Sequence, residues 1–468
     1  MAALEPDDSF RLGRLRLIRL PPTSISLPQG AKRTIGLPVE LTVGITDDYG
    51  TDIGLFESID LNIEVLDATT LSPSQSISLK VDGSAFSKTA GSSAVFTFTP
   101  SRGPFHTLKL CLSFSPPISS VPKAIRFRLT VAGPSTSAPP SPADSLATRR
   151  MRQLIGESRQ DILETWDDKR YLFLSVTSGE VEIRTGNEGV SSTKGAHSRL
   201  PLLSWSRLTL LLRTVQTALR TICLPSLSAA FPPPSVSIVE RPGLNNSTGQ
   251  RLWDCAIGLA CFLSLHSDAL DSAVPLTTTT SSDDEKPRTK RQRTAGLEGP
   301  LRVVELGAGC ALASMCAQHV LADVEGKLSI VATDVKPTVE TTLAENLAAN
   351  SVSSRQPAIT ASVLDWGKST CLQVCDARPP ASPSSPPPHL TLLGSDILYN
   401  PSSHSLLLDT LLAFCRPTDS SLTASARALI AYKKRTDGDG AFFGMASEAG
   451  LDVRKVWEWG EVGVWSFE

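Results

Sequence analysis

Through the first 132 residues, apolar and polar side chains trade places with a period of two. Val39, Leu41, Val43 and Ile45 share one side of a strand. Ile59, Leu61, Ile63 and Val65 do the same, with Asp60, Asn62 and Glu64 facing the other way. Leu108, Leu110, Leu112 and Phe114 repeat the pattern, as do Ile125, Phe127, Leu129 and Val131 between Arg126, Arg128 and Thr130. Such alternation sends one face of a strand into a core and the other into water. With Gly, Pro, Ser and Asp between the strands, it predicts an antiparallel β-sandwich-like domain over 1–132. Nothing there has the spacing of a catalytic or metal site, so the expected role is packing or the docking of a partner.

Residues 133–145 are rich in Pro and Ser and read as a linker. The next stretch, 146–235, is a mixed connector. It predicts a helix from Leu146 to Trp166 and a hairpin from Tyr171 to Arg184 that turns at Ser178-Gly179. A second helix would carry Leu208, Leu211, Leu212, Val215, Leu219 and Ile222 on one face. From 236 the pattern changes again. Strands at Val303–Leu306, Leu328–Ala332, Ala361–Leu364, His389–Gly394 and Ala428–Tyr432 are separated by helical stripes. Val453–Trp457 and Val462–Phe467 then close the chain as a hairpin. This order predicts an α/β domain with a mostly parallel sheet over 236–468. It is interrupted at 267–299 by Thr-, Asp- and Lys/Arg-rich sequence that cannot build a core and is expected to be disordered.

The chemistry gathers at the first of these strands. Glu305-Leu306-Gly307-Ala308-Gly309 reads as a strand end and glycine turn leading into a helix, and Thr333-Asp334 closes the next strand. Gly307 and Gly309 let the backbone turn tightly and approach a ligand. Asp334 is placed to accept hydrogen bonds from ribose hydroxyls. Leu312 stands where a dinucleotide fingerprint has its third glycine, so no pyrophosphate is expected. A carboxylate at Glu305 repels phosphate and tolerates a cation. A ligand with a ribose, an adenine and a positive charge but no phosphate is S-adenosylmethionine.

Composition narrows the setting. The chain has 468 residues, too many for one ordinary core, and its formal net charge of −2 gives no global pull toward nucleic acid or membrane. No apolar run is long enough to span a bilayer, and the first ten residues lack a signal-peptide core. Nine cysteines scattered through apolar runs fit buried free thiols in a reducing compartment. Cys371, Cys375 and His389 match no standard zinc spacing, so no metal is expected. Lys286 to Arg293 resembles a nuclear localisation signal, giving a cytoplasmic or nuclear expectation.

Trp253, Glu305-Leu306-Gly307-Ala308-Gly309, Thr333-Asp334, Asp365-Trp366 and Asp396-Ile397-Leu398-Tyr399 occur in that order. In this the chain resembles methyltransferase family 16, the seven-strand, Rossmann-like protein-lysine methyltransferases. The likeness covers about 236 to 468. It implies that Glu305, Gly307 and Gly309 surround the methionine part of S-adenosylmethionine and that Asp334 holds its ribose. It further implies that Asp365 and Trp366 contact adenine, that Trp253 closes the pocket, and that Asp396 and Tyr399 stand beside the transferred methyl group. The implied activity is methyl transfer to a lysine of a protein substrate. Ile397-Leu398 replaces the proline pair that shapes a slot for planar amides or adenine, which argues against planar substrates. Two rivals stay open: transfer to a small amine or nicotinamide-like base, and a catalytically silent binding protein of the same fold.

Overall fold

The computed structural model describes residues 10–19, 21–28, 34–55, 58–82, 88–115, 117–132, 145–156, 170–185, 217–224, 235–241, 248–276, 300–322, 328–350, 358–367, 387–416 and 423–468. Residues 133–144 of the 133–145 linker, most of the connector's second helix and the basic run 286–293 lie outside them.

The first fourteen strands are β1 (Phe10–Arg19), β2 (Ser24–Leu27), β3 (Ile35–Thr46), β4 (Ile59–Asp67), β5 (Ile77–Asp82), β6 (Lys88–Ala90), β7 (Ser93–Phe98), β8 (Phe105–Phe114), β9 (Ala124–Val131), β10 (Arg170–Leu174), β11 (Val176–Ser178), β12 (Val181–Thr185), β13 (Ala218–Cys223) and β14 (Ser235–Glu240). They make a five-stranded sheet, β10-β1-β3-β8-β5, and a nine-stranded one in which β14-β13-β11-β9-β4-β7-β6 run side by side and β12 joins β9 to β2. The alternating apolar residues of both sheets meet in one core; Leu41, Val43, Leu61, Ile63, Leu112 and Leu129 are fully enclosed there. Most pairings are antiparallel, but β1 with β10 and β2 with β12 are parallel, so chain beyond residue 132 completes both sheets.

Two local expectations are corrected. No hairpin forms at Ser178-Gly179, because β11 and β12 do not pair with each other. Both run antiparallel to β9 in succession, Thr177 opposite Arg128 and Val181 opposite Ile125. The chain steps sideways without reversing, with Phe127 N–H donating to Ser178 Oγ at 2.9 Å. Leu219 and Ile222 belong to the strand β13, not to a helix. Ala218, Arg220 and Ile222 turn inward at period two, and the buried Arg220 guanidinium donates to Glu240 Oε2 at 2.6 Å on the neighbouring strand. Leu219 and Ile222, three apart, fall on opposite faces of this strand, so the helical stripe does not form.

The remaining strands, β15 (Leu301–Leu306), β16 (Leu328–Asp334), β17 (Ile359–Val363), β18 (His389–Ser395), β19 (Ser425–Tyr432), β20 (Val453–Trp459) and β21 (Val462–Phe467), form a seven-stranded sheet ordered β17-β16-β15-β18-β19-β21-β20. The first five are mutually parallel; β21 is antiparallel to β19 and β20. Strand order therefore reverses between β15 and β18, the position where open α/β sheets bind ligands at their carboxyl ends. Helices α1 (Leu146–Leu154), α2 (Asp254–Leu265) and α3 (Leu312–Val320) cover one face, and α5 (His404–Cys415) and α6 (Ala441–Glu448) the other. The helical run α4 between β16 and β17 is Lys336–Thr338, a π turn at Val339–Leu343, and Ala344–Ala349.

The expectation of disorder is corrected for residues 267–276. Ser267–Leu270 is a 3-10 turn with Ala269 and Leu270 fully buried, and Arg427 donates to the carbonyl of Val274 at 2.7 Å. The polar composition concealed a segment tied down by one buried guanidinium; 277–299 lies outside the described residues.

Amide side chains join the two halves. Asn346 accepts from Val239 N–H at 2.7 Å and donates to Val239 O at 3.2 Å, while Asn350 accepts from Ser237 N–H at 2.8 Å and donates to its carbonyl at 2.9 Å. Four residues of helix advance about 6 Å and two of strand about 6.6 Å, so an i, i+4 asparagine pair can stand in for a neighbouring strand along β14. Deeper in the junction, Arg14 on β1 donates to Asp254 on α2 at 2.8 Å.

Candidate functional site

Each of the nine residues singled out from the sequence lies at the carboxyl end of a sheet strand or at the start of α2. The glycine turn comes first. Gly307 (φ 61°) and Gly309 (φ 50°) are left-handed, as is Ala311 (φ 61°), which precedes α3 without a capping side chain. A Cβ on Gly307 would stand 3.0 Å from Ile397 Cγ2 and 3.5 Å from Trp366 Cζ2, so this turn, the Trp366 ring and the loop after β18 share one small space. A Cβ on Gly309 would stand 3.3 Å from the carbonyl oxygen of Gly249, which brings the Thr248–Gln250 turn against the same bend.

Glu305 takes the place of the missing cap. Its Oε2 accepts from Ser314 N–H at 2.9 Å, at the positive end of α3. Its Oε1 is buried without a hydrogen-bond donor. Burial pushes the carboxyl up to about 7, against partial compensation from the Ser314 bond. Asp334 accepts from Gly309 N–H at 2.8 Å through Oδ2 and from Val335 N–H at 2.7 Å through Oδ1. Burial raises its carboxyl as well, with those two N–H groups opposing. Asp334 thus braces the glycine turn, a role the sequence reading did not assign. Asp365 is exposed after β17, while Trp366 is half-buried.

Asp396 leaves β18 in a left-handed conformation (φ 56°) and is 9% exposed. Both of its oxygens are held by Arg435, Oδ1 by Nε at 3.0 Å and Oδ2 by Nη2 at 2.7 Å. Cys255 Sγ lies 3.6 Å from Oδ1. Burial nevertheless leaves the Asp396 carboxyl above its ordinary value, with Arg435 pulling it down. Tyr399 sits at the rim, exposed, its hydroxyl 3.0 Å from Thr248 Oγ1. Trp253 precedes α2, and its indole N–H donates to the Thr248 carbonyl at 2.8 Å. Trp253 and Tyr399 together hold the 248–250 turn over the site.

Three residues here were missed from the sequence: Arg435, Asp48 and Tyr49. Arg435 lies in Lys433-Lys434-Arg435, directly after β19. Asp48 and Tyr49 come from the loop after β3, where no local pattern pointed to chemistry. A separate cleft of about 490 Å3, lined by Arg126, Arg241 and Glu345 among others, contains none of the predicted site residues. Among the described residues no group of His, Cys, Asp and Glu could hold a metal ion, and no helix is long and apolar enough to cross a membrane.

Residues 233–449 match the family model for lysine methyltransferases. The site residues from Trp253 to Arg435 fall inside the match, and Asp48 and Tyr49 lie outside it. No curated protein matches the chain. Among solved structures, PigF with S-adenosylhomocysteine is 12% identical with a TM-score of 0.24, over 36% of this chain and 50% of that one. A methyltransferase of Podospora anserina bound to S-adenosylhomocysteine is also 12% identical, with a TM-score of 0.24, over 36% of this chain and 70% of that one. A cohesin module from Clostridium perfringens is 11% identical, with a TM-score of 0.20, over 37% of this chain and 98% of that one. This chain therefore spans half the length of the first of these.

Proposed function

We propose that the protein transfers a methyl group from S-adenosylmethionine to the side-chain amine of a lysine in a protein substrate. One observation supports this reading: the Gly307 turn, Trp366 and Ile397, the residue after Asp396, share one small space where strand order reverses, within the family match. The residues suit the cofactor. A buried carboxylate oxygen without a donor suits a cation, and two left-handed glycines leave room that a Cβ would fill.

When bound, S-adenosylmethionine supplies an electrophilic methyl on a sulfonium. Glu305 would face its methionine part, Asp334 its ribose, and Asp365 with Trp366 its adenine, with Trp253 closing the pocket. Methyl transfer to nitrogen is an in-line displacement, so the protein's work is alignment and exclusion of water. The acceptor lysine must enter without its proton, because an ammonium has no lone pair. A guanidinium beside Asp396 disfavours a second cation there and so favours the neutral amine. Asp396 would orient that amine and stabilise the charge growing on it. The Tyr399 ring would wall the channel and offer its face to the cation. The amino-terminal β-sandwich-like domain would dock a protein partner.

The test is incubation of the full chain with methyl-labelled S-adenosylmethionine and a protein extract, followed by acid hydrolysis. Label recovered as N-methyl-lysine, and lost in Asp396→Asn, is the expected result. Label confined to small molecules would overturn the protein-lysine reading.

A further inference from the structure

The loop after β3 is built to present two side chains. Asp47 Oδ1 accepts from Gly50 N–H and Thr51 N–H, both at 2.8 Å, and a bridge between Thr46 and Asp52 closes the loop. This leaves Asp48, 2% exposed, and Tyr49 directed at the carboxyl edge of the seven-stranded sheet. Arg435 Nη2, which already holds Asp396, also donates to Asp48 Oδ2 at 2.7 Å, across 387 residues of sequence. The guanidinium carbon stands 4.8 Å from the Tyr49 ring centre and 5.3 Å from that of Trp253, with the two rings edge to face at 6.0 Å. Lys433 braces the far side of Asp48 at 3.4 Å while pairing with Asp254 at 2.9 Å.

We infer that Arg435 is the positioning residue for Asp396, and that the amino-terminal domain completes the reaction centre by holding Arg435 through Asp48 and Tyr49. A bidentate guanidinium fixes a carboxylate in plane and direction, which a point charge does not. Asp396 needs that constraint because its left-handed backbone is one a non-glycine residue rarely adopts. Arg435 needs a second anchor, because a long side chain facing a single carboxylate keeps its rotamer freedom. Asp48 and the two rings supply it. The β-rich half is then part of the catalytic unit as well as a candidate docking module. The functional meaning rests on the methyl-transfer reading; the clamp itself does not.

The test is titration of the Asp396 carboxyl carbon by NMR in the full chain labelled at aspartate, the resonance being assigned by its loss in Asp396→Asn. The groups facing Asp396 are Arg435, Asp48, Asp254, Cys255, Tyr49 and Tyr432. In Arg435→Gln the midpoint should rise by about 1–3 pH units, the usual effect of removing an adjacent opposite charge. Arg435→Lys, which keeps the charge and loses the fork, should fall between. The decisive variant is Asp48→Ala. Removal of a neighbouring negative charge alone would lower the Asp396 midpoint, whereas loss of the brace on Arg435 raises it. A rise supports the inference; a fall, or an unmoved midpoint in Arg435→Gln, overturns it. Failure of the wild-type chain to bind S-adenosylmethionine would remove the methyl-transfer reading, and the titration would still decide the clamp.

Discussion

Glu305 should make the protein less stable as the pH rises through neutrality. Its carboxyl, 1% exposed, is raised by burial from 4.5 to about 7. At about 1.4 kcal/mol per unit, that difference corresponds to roughly 3 kcal/mol. Because the folded value lies above the unfolded one, the stabilisation is complete below pH 4.5. It declines as the pH climbs toward 7 and is gone above it. Glu305→Gln stays neutral throughout and keeps an acceptor for Ser314 N–H. Chemical denaturation of both proteins at pH 4.5, 6, 7 and 8 should show the wild type losing roughly 3 kcal/mol relative to the variant between the first point and the last. Parallel curves would refute the argument that Glu305 is held uncharged by burial.

Other substitutions probe other links. Gly307→Ala should cost about 1–2 kcal/mol from the left-handed backbone alone, and its Cβ would press on Ile397 at 3.0 Å; thermal unfolding measures the first effect and loss of S-adenosylhomocysteine binding the second. Asn346→Ala leaves Val239 N–H buried without its acceptor, so about 1–3 kcal/mol should be lost from the junction between the halves, seen as earlier protease cleavage between them. Arg14→Ala strips a fully buried cation from Asp254 and Glu240 and should cost about 3–5 kcal/mol by denaturation.

What the sequence disclosed was local chemistry and periodicity. Gly307 and Gly309 announced a tight turn because only glycine sits comfortably at their φ, and the strand-ending acids Asp334 and Asp396 followed from where apolar runs stopped. The inward faces of β3, β4, β8 and β9 followed from strict alternation. Contacts between distant segments were not readable. Asp48 reaches Arg435 only once two sheets have assembled, and nothing near residue 48 reports it. Leu219 and Ile222 fit a helical stripe but fall on opposite faces of the strand they form, and the cross-strand partner of Arg220, Glu240, lies 20 residues away. The order of Ser267–Leu270 escaped for the same reason, since its anchor, Arg427, lies far along the chain.

On the proposed reading, the bend from Glu305 to Gly309, braced by Asp334, holds an adenosyl sulfonium or its thioether product. Calorimetric titration of the full chain with S-adenosylhomocysteine tests it most directly. Binding at one site is expected, weakened about tenfold or more in Asp334→Ala, the cost of losing hydrogen bonds to a charged group. No measurable binding by the wild-type protein, or binding that Asp334→Ala leaves unchanged, would contradict it.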